Sequence, residues 1–101
     1  MKNGGKVHQL WRAGGERIQR LRTDSEITQL ELAEQIYAPS IAWVAQIEAG
    51  ERPVTSTYYK RFARSLNQST AQFARGCLAH YDPKAYEALF GDLPANINKV
   101  A

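Results

Sequence analysis

The stretch TQLELAEQIYAPSIAWVAQIEAG, residues 28–50, predicts two short helices joined by a tight turn. Thr28 and Glu31 have the spacing of a capping box, in which the threonine hydroxyl binds one free backbone amide and the glutamate binds another. Pro39 disfavours a helical conformation for the residue before it, so the first helix ends ahead of it. Ser40 is a preferred N-cap residue and therefore starts the second helix.

The second helix of this pair has an unusual outward face. Gly50 can adopt the left-handed conformation that ends a helix, so the helix runs from Ser40 to about that position. Its outward positions are Ala42, Trp43, Ala45 and Gln46. This face carries a tryptophan and no Lys or Arg, so any positive charge for an anionic partner must lie elsewhere in the chain.

Positive charge is concentrated on either side of this helix pair. The net charge is +3, yet residues 1–22 hold six Lys/Arg against one Glu, and residues 51–75 hold five Lys/Arg against one Glu. Residues 23–50 between them hold five acidic side chains and no Lys or Arg. A mixed, solvated surface is the plain interpretation of this pattern. The functional interpretation is that two basic segments flank a binding helix.

Helical spacing of apolar residues recurs through the rest of the chain, and no long run alternates apolar and polar side chains as a half-buried strand does. The pattern therefore predicts an all-α fold. The other helices are expected over Glu16–Arg22, after a Thr55 cap, after a capping box at Ser69–Gln72, and between Asp82-Pro83 and Gly91. Residues 1–14 contain three glycines and no clear period, which predicts a loose arm.

Length and composition limit the class of protein. A chain of 101 residues favours a single domain. The single cysteine, Cys77, allows no internal disulfide, which fits a reducing cytoplasm. The N-terminus has no apolar run for a signal peptide, and no stretch approaches the ~18 apolar residues of a membrane span. We therefore expect a soluble, cytoplasmic protein.

Four blocks of the chain resemble a known family. They are GERIQRLR (15–22), TQLELAEQI (28–36), SIAWVAQIEAGERPV (40–54) and FARSLN (62–67). In this order and at nearly this spacing they resemble the Cro/C1-type, or XRE, helix-turn-helix domain. The resemblance extends from residue 15 to about residue 73. The turn Tyr37-Ala38-Pro39 departs from the family pattern, because it is one residue longer and lacks the usual glycine.

The resemblance implies a five-helix lambda-repressor-like DNA-binding domain with a short C-terminal helical extension. The corresponding segments are a flexible basic arm (1–14), the helix-turn-helix DNA-binding domain (15–73), a helical extension (74–91) and a flexible tail (92–101). The extension supplies aromatic and aliphatic residues beyond what a five-helix core needs. It is therefore the candidate dimerisation element.

The resemblance also implies which side chains read DNA bases. Ile41, Ala42 and Gln46 match the base-facing positions of the second helix, and Trp43 matches a position at the groove edge. The chemistry agrees, since apolar side chains read thymine methyls and glutamine pairs with adenine. Glu48 matches a glutamate with a structural role. We expect the Trp43 ring to be partly exposed, so that its replacement by alanine costs only on the order of 1 kcal/mol of stability.

Two further groups of side chains are assigned to binding. The candidate phosphate-binding residues are Arg17, Thr28, Gln29, Ser40, Arg52, Arg61 and Arg64. The candidate dimer-interface residues are Phe73, Cys77, Tyr81, Tyr86, Leu89 and Phe90. Phosphate contacts position a protein on the duplex while base contacts specify the sequence, which agrees with charge placed outside the helix pair.

Each assignment has a plainer alternative. Trp43 could be an ordinary core aromatic, and Gln46 could be a solvated surface residue. Arg61 and Arg64 could serve solubility alone. The row of three side chains that starts at Phe73, spaced by four along one helix face, could lie inside the domain.

The sequence favours a sequence-specific DNA-binding transcriptional regulator, a repressor that binds a palindromic operator as a homodimer. An enzyme is not expected, because no phosphate-binding glycine loop, HExxH pair or Cys-His metal spacing is present. The expected partner is double-stranded DNA, with no cofactor, metal or membrane. Two alternatives stay open: an antitoxin with a toxin partner, and a protein-interaction module without DNA binding, which the acidic segment favours.

Overall fold

Local hydrogen-bonding groups at the helix ends determine where most elements begin. The computed structural model describes residues 2–95, with side chains from Val7 onward. Its helices are α1 (Lys2–Asp24), α2 (Gln29–Gln35), α3 (Ile41–Glu48), a 3-10 helix (Ser56–Tyr58), α4 (Tyr59–Ser65), α5 (Thr70–Tyr81) and α6 (Pro83–Phe90). Every regular element in this part of the chain is helical, which confirms the all-α prediction.

Predicted N-caps are present at four helix starts. The Thr28 hydroxyl accepts the amide of Glu31 at 3.0 Å, and the Glu31 carboxylate accepts the amide of Thr28 at 2.8 Å, so the capping box of α2 is confirmed. The side chains that cap α3, α5 and α6 are Ser40, Ser69 and Asp82. Thr55 differs, because a 3-10 helix separates it from α4.

Four helices are followed by a residue in the left-handed conformation. These residues are Glu26 after α1 (φ +59°), Tyr37 after α2 (φ +57°), Gly50 after α3 (φ +78°) and Asn67 after α4 (φ +57°). In each case the next amide donates to a carbonyl five residues earlier: Ile27 to Arg22 at 3.4 Å, Ala38 to Ala33 at 2.9 Å, Glu51 to Gln46 at 2.8 Å, and Gln68 to Ala63 at 2.8 Å. This is the Schellman motif, which satisfies carbonyls that a helix end leaves free. The predicted end of α3 is thereby confirmed.

The first helix is the main departure from the predicted elements. α1 runs unbroken over Lys2–Asp24, so the described part of residues 1–14, expected to be a loose arm, is helical. Glycine in a helix costs about 1 kcal/mol relative to alanine, and tertiary packing overrides that preference here. Gly14 and Gly15 are buried, and they let α1 approach its neighbours so closely that a Cβ atom at either position would overlap another helix.

The core lies between the first five α-helices. Its fully buried side chains include Ile18 from α1, Leu32 from α2, Ile47 from α3, Phe62 from α4 and Phe73 from α5. The Phe62 and Phe73 rings stack with 5.5 Å between their centroids. Each of these helices therefore buries one apolar face, as the helical spacing predicts.

α6 packs on α5 outside this core. Ala79 and Tyr86 form a small buried cluster, against which Leu93 is half-buried. Leu93 belongs to the segment 92–101 that was expected to be a flexible tail, so this part of the tail is attached to α5 and α6. The last six residues, 96–101, lie outside the described part of the chain.

Candidate nucleic-acid interface

Glu48, at the end of α3, is the centre of a buried polar network. Its carboxylate binds Arg22 twice, with Nε to Oε2 at 2.6 Å and Nη2 to Oε1 at 3.1 Å. Gln29 donates to the same carboxylate at 3.0 Å, and Arg22 also donates to the carbonyl of Ile27 at 2.9 Å. The side chains of Arg22 and Glu48 are only 12% and 4% exposed. The network fastens α1, α2 and α3 together, which confirms the structural role expected of Glu48.

All four predicted base-reading side chains belong to α3. Ile41 and Ala42 are exposed at its first turn. Gln46 is half-buried, and its amide oxygen accepts a 3.0 Å hydrogen bond from Arg52 Nε. The oxygen has a second lone pair and the amide nitrogen has two donors, so this bond orients Gln46 and still permits bidentate pairing with adenine.

Trp43 combines both of its predicted environments. The side chain is half-buried, as expected, and its ring packs on the 3-10 helix and α4. The ring centroid lies 4.6 Å from that of Tyr58 and 6.4 Å from that of Phe62. On another side, the Arg52 guanidinium lies 5.9 Å from the ring. Trp43 therefore joins the core to the face of the protein that carries Gln46.

Replacing Trp43 with alanine should lower the free energy of unfolding by about 2–3 kcal/mol, because the ring loses contact with two aromatic neighbours. This loss exceeds the one expected of an exposed tryptophan. Trp43→Phe is the matched variant, since it keeps a ring on Tyr58, and it should cost less than half as much. Urea unfolding of the three proteins measures the difference. A loss below about 1 kcal/mol for the alanine variant would contradict a stabilising contact between these rings.

The arginines that follow α3 have the exposure that phosphate binding requires. Arg52, Arg61 and Arg64 are all exposed. Arg61 Nη1 donates to the carbonyl of Ile36 at 3.1 Å, which holds its guanidinium beside the end of α2. Arg52 is held by its bond to Gln46. Two of the three guanidinium groups are therefore oriented before any partner binds, which reduces the entropy lost on binding.

Arg17 is buried, which contradicts its predicted phosphate-binding role. Its side chain is 4% exposed and lies 5.1 Å from the Phe73 ring of α5. Gly76 provides the space, since a Cβ atom there would overlap the guanidinium. Burial lowers the pKa of Arg17 from its ordinary value, although the neighbouring Cys77 acts in the opposite direction. Phosphate binding requires Arg17 on the outside of α1, but α5 covers that side.

The other predicted phosphate-binding side chains form bonds within the chain. Thr28 and Ser40 are exposed, and their hydroxyls accept amides at the start of their own helices. Gln29 is half-buried and donates to Glu48. The carboxylate of Glu31 also lies at the start of α2, where it would repel a phosphate. A phosphate role for these three residues stays a prediction.

Three of the six candidate dimer-interface residues are interior. Phe73 and Cys77 are fully buried in the core, and Tyr86 is buried between α5 and α6. These side chains cannot contact a second copy, which contradicts their assignment. The face of α5 that carries Phe73 packs inside the domain, as the plainer alternative predicted. Burial raises the pKa of the Cys77 thiol to about 12, against the effect of the neighbouring Arg17, so the thiol stays neutral and unreactive.

The remaining candidate dimer residues differ in exposure. Tyr81 is half-buried, with its ring 6.4 Å from that of Trp11 in α1. Leu89 and Phe90 are 66% and 44% exposed at the end of α6. The Arg75 guanidinium lies 4.8 Å from the Phe90 ring. An apolar surface that a second copy could cover therefore lies at the end of α6.

Some residues of the site were not found from the sequence. Arg22 lies 26 positions from Glu48, and no local periodicity relates the two. Helical spacing did not distinguish Tyr58 from Tyr59 as the inner residue of α4. Both are half-buried, and the structure places Tyr58 against Trp43 while Tyr59 faces α5. The adjacent tyrosines lie on the same turn, so only their tertiary contacts separate them.

No family model, curated protein or solved structure matches this chain. Within residues 2–95, none of the helices combines the length and the apolar character needed to cross a lipid bilayer. The side chains described also include no group of three His, Cys, Asp or Glu residues that could hold a metal ion. The geometry of α3 and its flanking arginines is therefore the basis for assigning a function.

Proposed function

We propose that this protein is a sequence-specific DNA-binding transcriptional regulator with a five-helix lambda-repressor-like domain. The proposal rests on the separation of uncharged and positively charged side chains on its surface. α3 presents the uncharged side chains of Ile41, Ala42 and Gln46, while exposed arginines follow it in the chain. Uncharged side chains of this kind read base edges in the major groove, which admits an α-helix. Arginine supplies the phosphate contacts that position such a helix.

The contacts that hold α3 in place suit a helix that enters the major groove of DNA. Its inner side chains, Val44 and Ile47, are fully buried. Its last residue is held by the network of Glu48 and Arg22. A helix held rigidly before binding loses little conformational freedom when it meets DNA, so more of the contact energy contributes to affinity.

Binding to duplex DNA from the region next to the protein's own gene, repeated at several salt concentrations, tests the proposal. We expect the logarithm of the association constant to fall linearly with the logarithm of salt concentration, because each arginine–phosphate contact releases a counterion. Arg52→Ala should weaken binding to every sequence and reduce the slope by about one unit. Gln46→Ala should instead weaken the preferred sequence by about 1–3 kcal/mol more than others.

Arg75→Ala is the matched control for this experiment. Its guanidinium also lies over aromatic rings, those of Tyr86 and Phe90, but it belongs to α5. The control should keep the wild-type slope on half-site DNA bound by one protomer, where the contact of Arg75 with Phe90 of the proposed dimer surface plays no part. Equal losses of slope for Arg52→Ala and Arg75→Ala would indicate binding through general positive charge. A wild-type protein that shows no salt-dependent binding to duplex DNA would contradict the proposed function.

We also propose that the protein is a repressor that binds a palindromic operator as a homodimer. The exposed pair Leu89 and Phe90 on α6 supports this assembly, because a two-fold contact would cover both apolar side chains. Half-sites are then about one helical turn apart, so that both copies of α3 meet the same side of the duplex. Titration of the operator duplex with the protein gives the stoichiometry, which should be two protomers per operator.

One observation favours a different function, binding of a basic protein by an antitoxin or an interaction module. The outer face of α2 presents Leu30, Glu31 and Glu34, all of which are exposed. Acidic and apolar side chains together complement a basic protein surface better than they complement phosphate. Under this alternative, the protein co-purifies with a small basic partner, and Gln46→Ala leaves that complex intact.

A further inference from the structure

The turn between α2 and α3 holds an unexpected side chain. Tyr37 adopts a φ of +57°, and its side chain is 78% exposed. This left-handed conformation is strained for a residue with a bulky side chain. The equivalent positions after α3 and α4 hold Gly50 and Asn67, which are residue types that tolerate it, and the position after α1 holds Glu26. Backbone geometry and burial therefore do not explain a tyrosine at this turn.

Tyr37 is the first member of a row of neighbouring aromatic and arginine side chains, which we call the aromatic–arginine ladder. Its members, in order, are Tyr37, Arg61, Tyr58, Trp43 and Arg52. The Arg61 guanidinium lies 5.8 Å from the Tyr37 ring and 5.2 Å from the Tyr58 ring. The Tyr58 ring then packs on that of Trp43, with 4.6 Å between the centroids and 43° between the ring planes, and the Arg52 guanidinium lies 5.9 Å from the Trp43 ring. The ladder therefore extends from the α2–α3 turn to the loop after α3.

Both arginines of the ladder keep donors for a partner. Arg61 donates from Nη1 to the carbonyl of Ile36, and Arg52 donates from Nε to Gln46. A guanidinium group has five N–H donors, so each retains several others. The aromatic ring and the hydrogen bond together hold each guanidinium in one orientation while it remains exposed.

We propose that the aromatic–arginine ladder binds the sugar–phosphate backbone of one DNA strand, with Tyr37 and Tyr58 as binding residues beside the two arginines. The inference rests on the proposed function and extends it, since it assigns the path of a strand along the α2–α3 turn. The guanidinium groups of Arg52 and Arg61 bind phosphate oxygens. The ring of Tyr37 covers Arg61 from the side of α2 and shields the bond to phosphate from water, which strengthens it.

Charge and stacking both favour the DNA backbone over an unpaired base. The ladder contains two guanidinium groups and no carboxylate, and the exposed Lys60 and Arg64 add positive charge on the same helix as Arg61. Proteins that bind unpaired bases offer open ring faces for stacking. Tyr58 and Trp43 are half-buried and pack on one another, and the Arg61 guanidinium lies over the exposed Tyr37 ring. The N–H donors of two guanidinium groups therefore outnumber free ring faces in the ladder, which suits phosphate and deoxyribose.

Tyr37→Gly tests the inference, because stability and binding should change in different directions. Glycine adopts this φ without strain, so the midpoint of thermal unfolding should stay level or rise. Affinity for the duplex should fall about three- to tenfold, because Arg61 loses the ring that covers it. Tyr37→Asn, which also tolerates the left-handed conformation but is less flexible than glycine, should show the same loss of affinity.

Asn67→Gly is the matched control, since it changes the same Schellman position at the end of α4, outside the ladder. Its duplex affinity should equal that of the wild type. Unchanged affinity in Tyr37→Gly, or an equal loss in Asn67→Gly, overturns the ladder and leaves the proposed function intact. A wild-type protein that binds no duplex overturns both. Tyr37 variants that lose binding to single-stranded DNA alone show a base-stacking platform instead, and the backbone proposal fails.

Discussion

Replacing Glu48 with alanine should lower the free energy of unfolding by about 3–5 kcal/mol, the largest effect we expect of any single charged residue here. The substitution leaves the guanidinium of Arg22 buried without its carboxylate partner, since that side chain is only 12% exposed. Gln29 loses its acceptor at the same time. Desolvation makes an unpaired buried charge costly, so the loss exceeds that of a surface ion pair, which is about 0–1 kcal/mol.

Glu34→Ala is the control for this prediction, because it removes an exposed carboxylate from α2 and should change stability by no more than about 0.5 kcal/mol. Chemical denaturation of both variants, with the slope of the transition checked for two-state behaviour, gives the comparison. A loss of less than about 1 kcal/mol for Glu48→Ala would mean that the network is a solvent-screened surface pair. α2 and α3 would then be held together by apolar contacts alone.

Gly15→Ala should destabilise the protein by about 2–3 kcal/mol, although alanine is the better helix former by about 1 kcal/mol. A Cβ atom at this position would lie well inside contact distance of the carbonyl oxygens of Ile47 and Glu48. These are backbone atoms at the end of α3, so relief requires α1 and α3 to move apart. Thermal unfolding measures the effect, and a stabilised Gly15→Ala variant would contradict so close an approach.

Gly14→Ala provides the comparison on the same helix. Its Cβ atom would meet the far end of the Tyr81 ring and the Cβ of His80 on α5. A ring can shift more easily than a backbone, so this variant should lose less stability than Gly15→Ala. The reverse order would show that α1 packs more tightly on α5 than on α3.

The ends of the helices could be predicted from the sequence because each depends on groups close together in the chain. The capping box of Thr28 and Glu31 closes over four residues, and the Schellman motif at Gly50 over six. Such bonds form wherever the local backbone is helical, so side-chain type is enough to locate them. Phe62 and Leu66 lie four residues apart and are both buried, and apolar spacing of this kind is local in the same sense.

Only the tertiary structure shows whether a helix face next to the buried apolar one is covered by another helix. Helical spacing shows that Arg17 lies beside Ile18 on α1, but not that α5 closes over both. The same limit applies to Phe73 and Cys77. Their spacing correctly places them on one face of a helix, but that face lies in the core and not at a dimer interface. Coverage depends on where another helix packs, which no window of a few residues contains.

The candidate site likewise has features that the sequence predicts and features that only the tertiary structure decides. The sequence by itself determined the turn, the caps of α2 and α3, and the uncharged side chains along α3, because these depend on residue type and helical period. The tertiary structure decided the pairing of Arg22 with Glu48, the continuation of α1 through Gly14 and Gly15, and the packing of Trp43 on Tyr58. Their energies come from groups far apart in the chain that lose water together, and that gain exists only once the helices have packed.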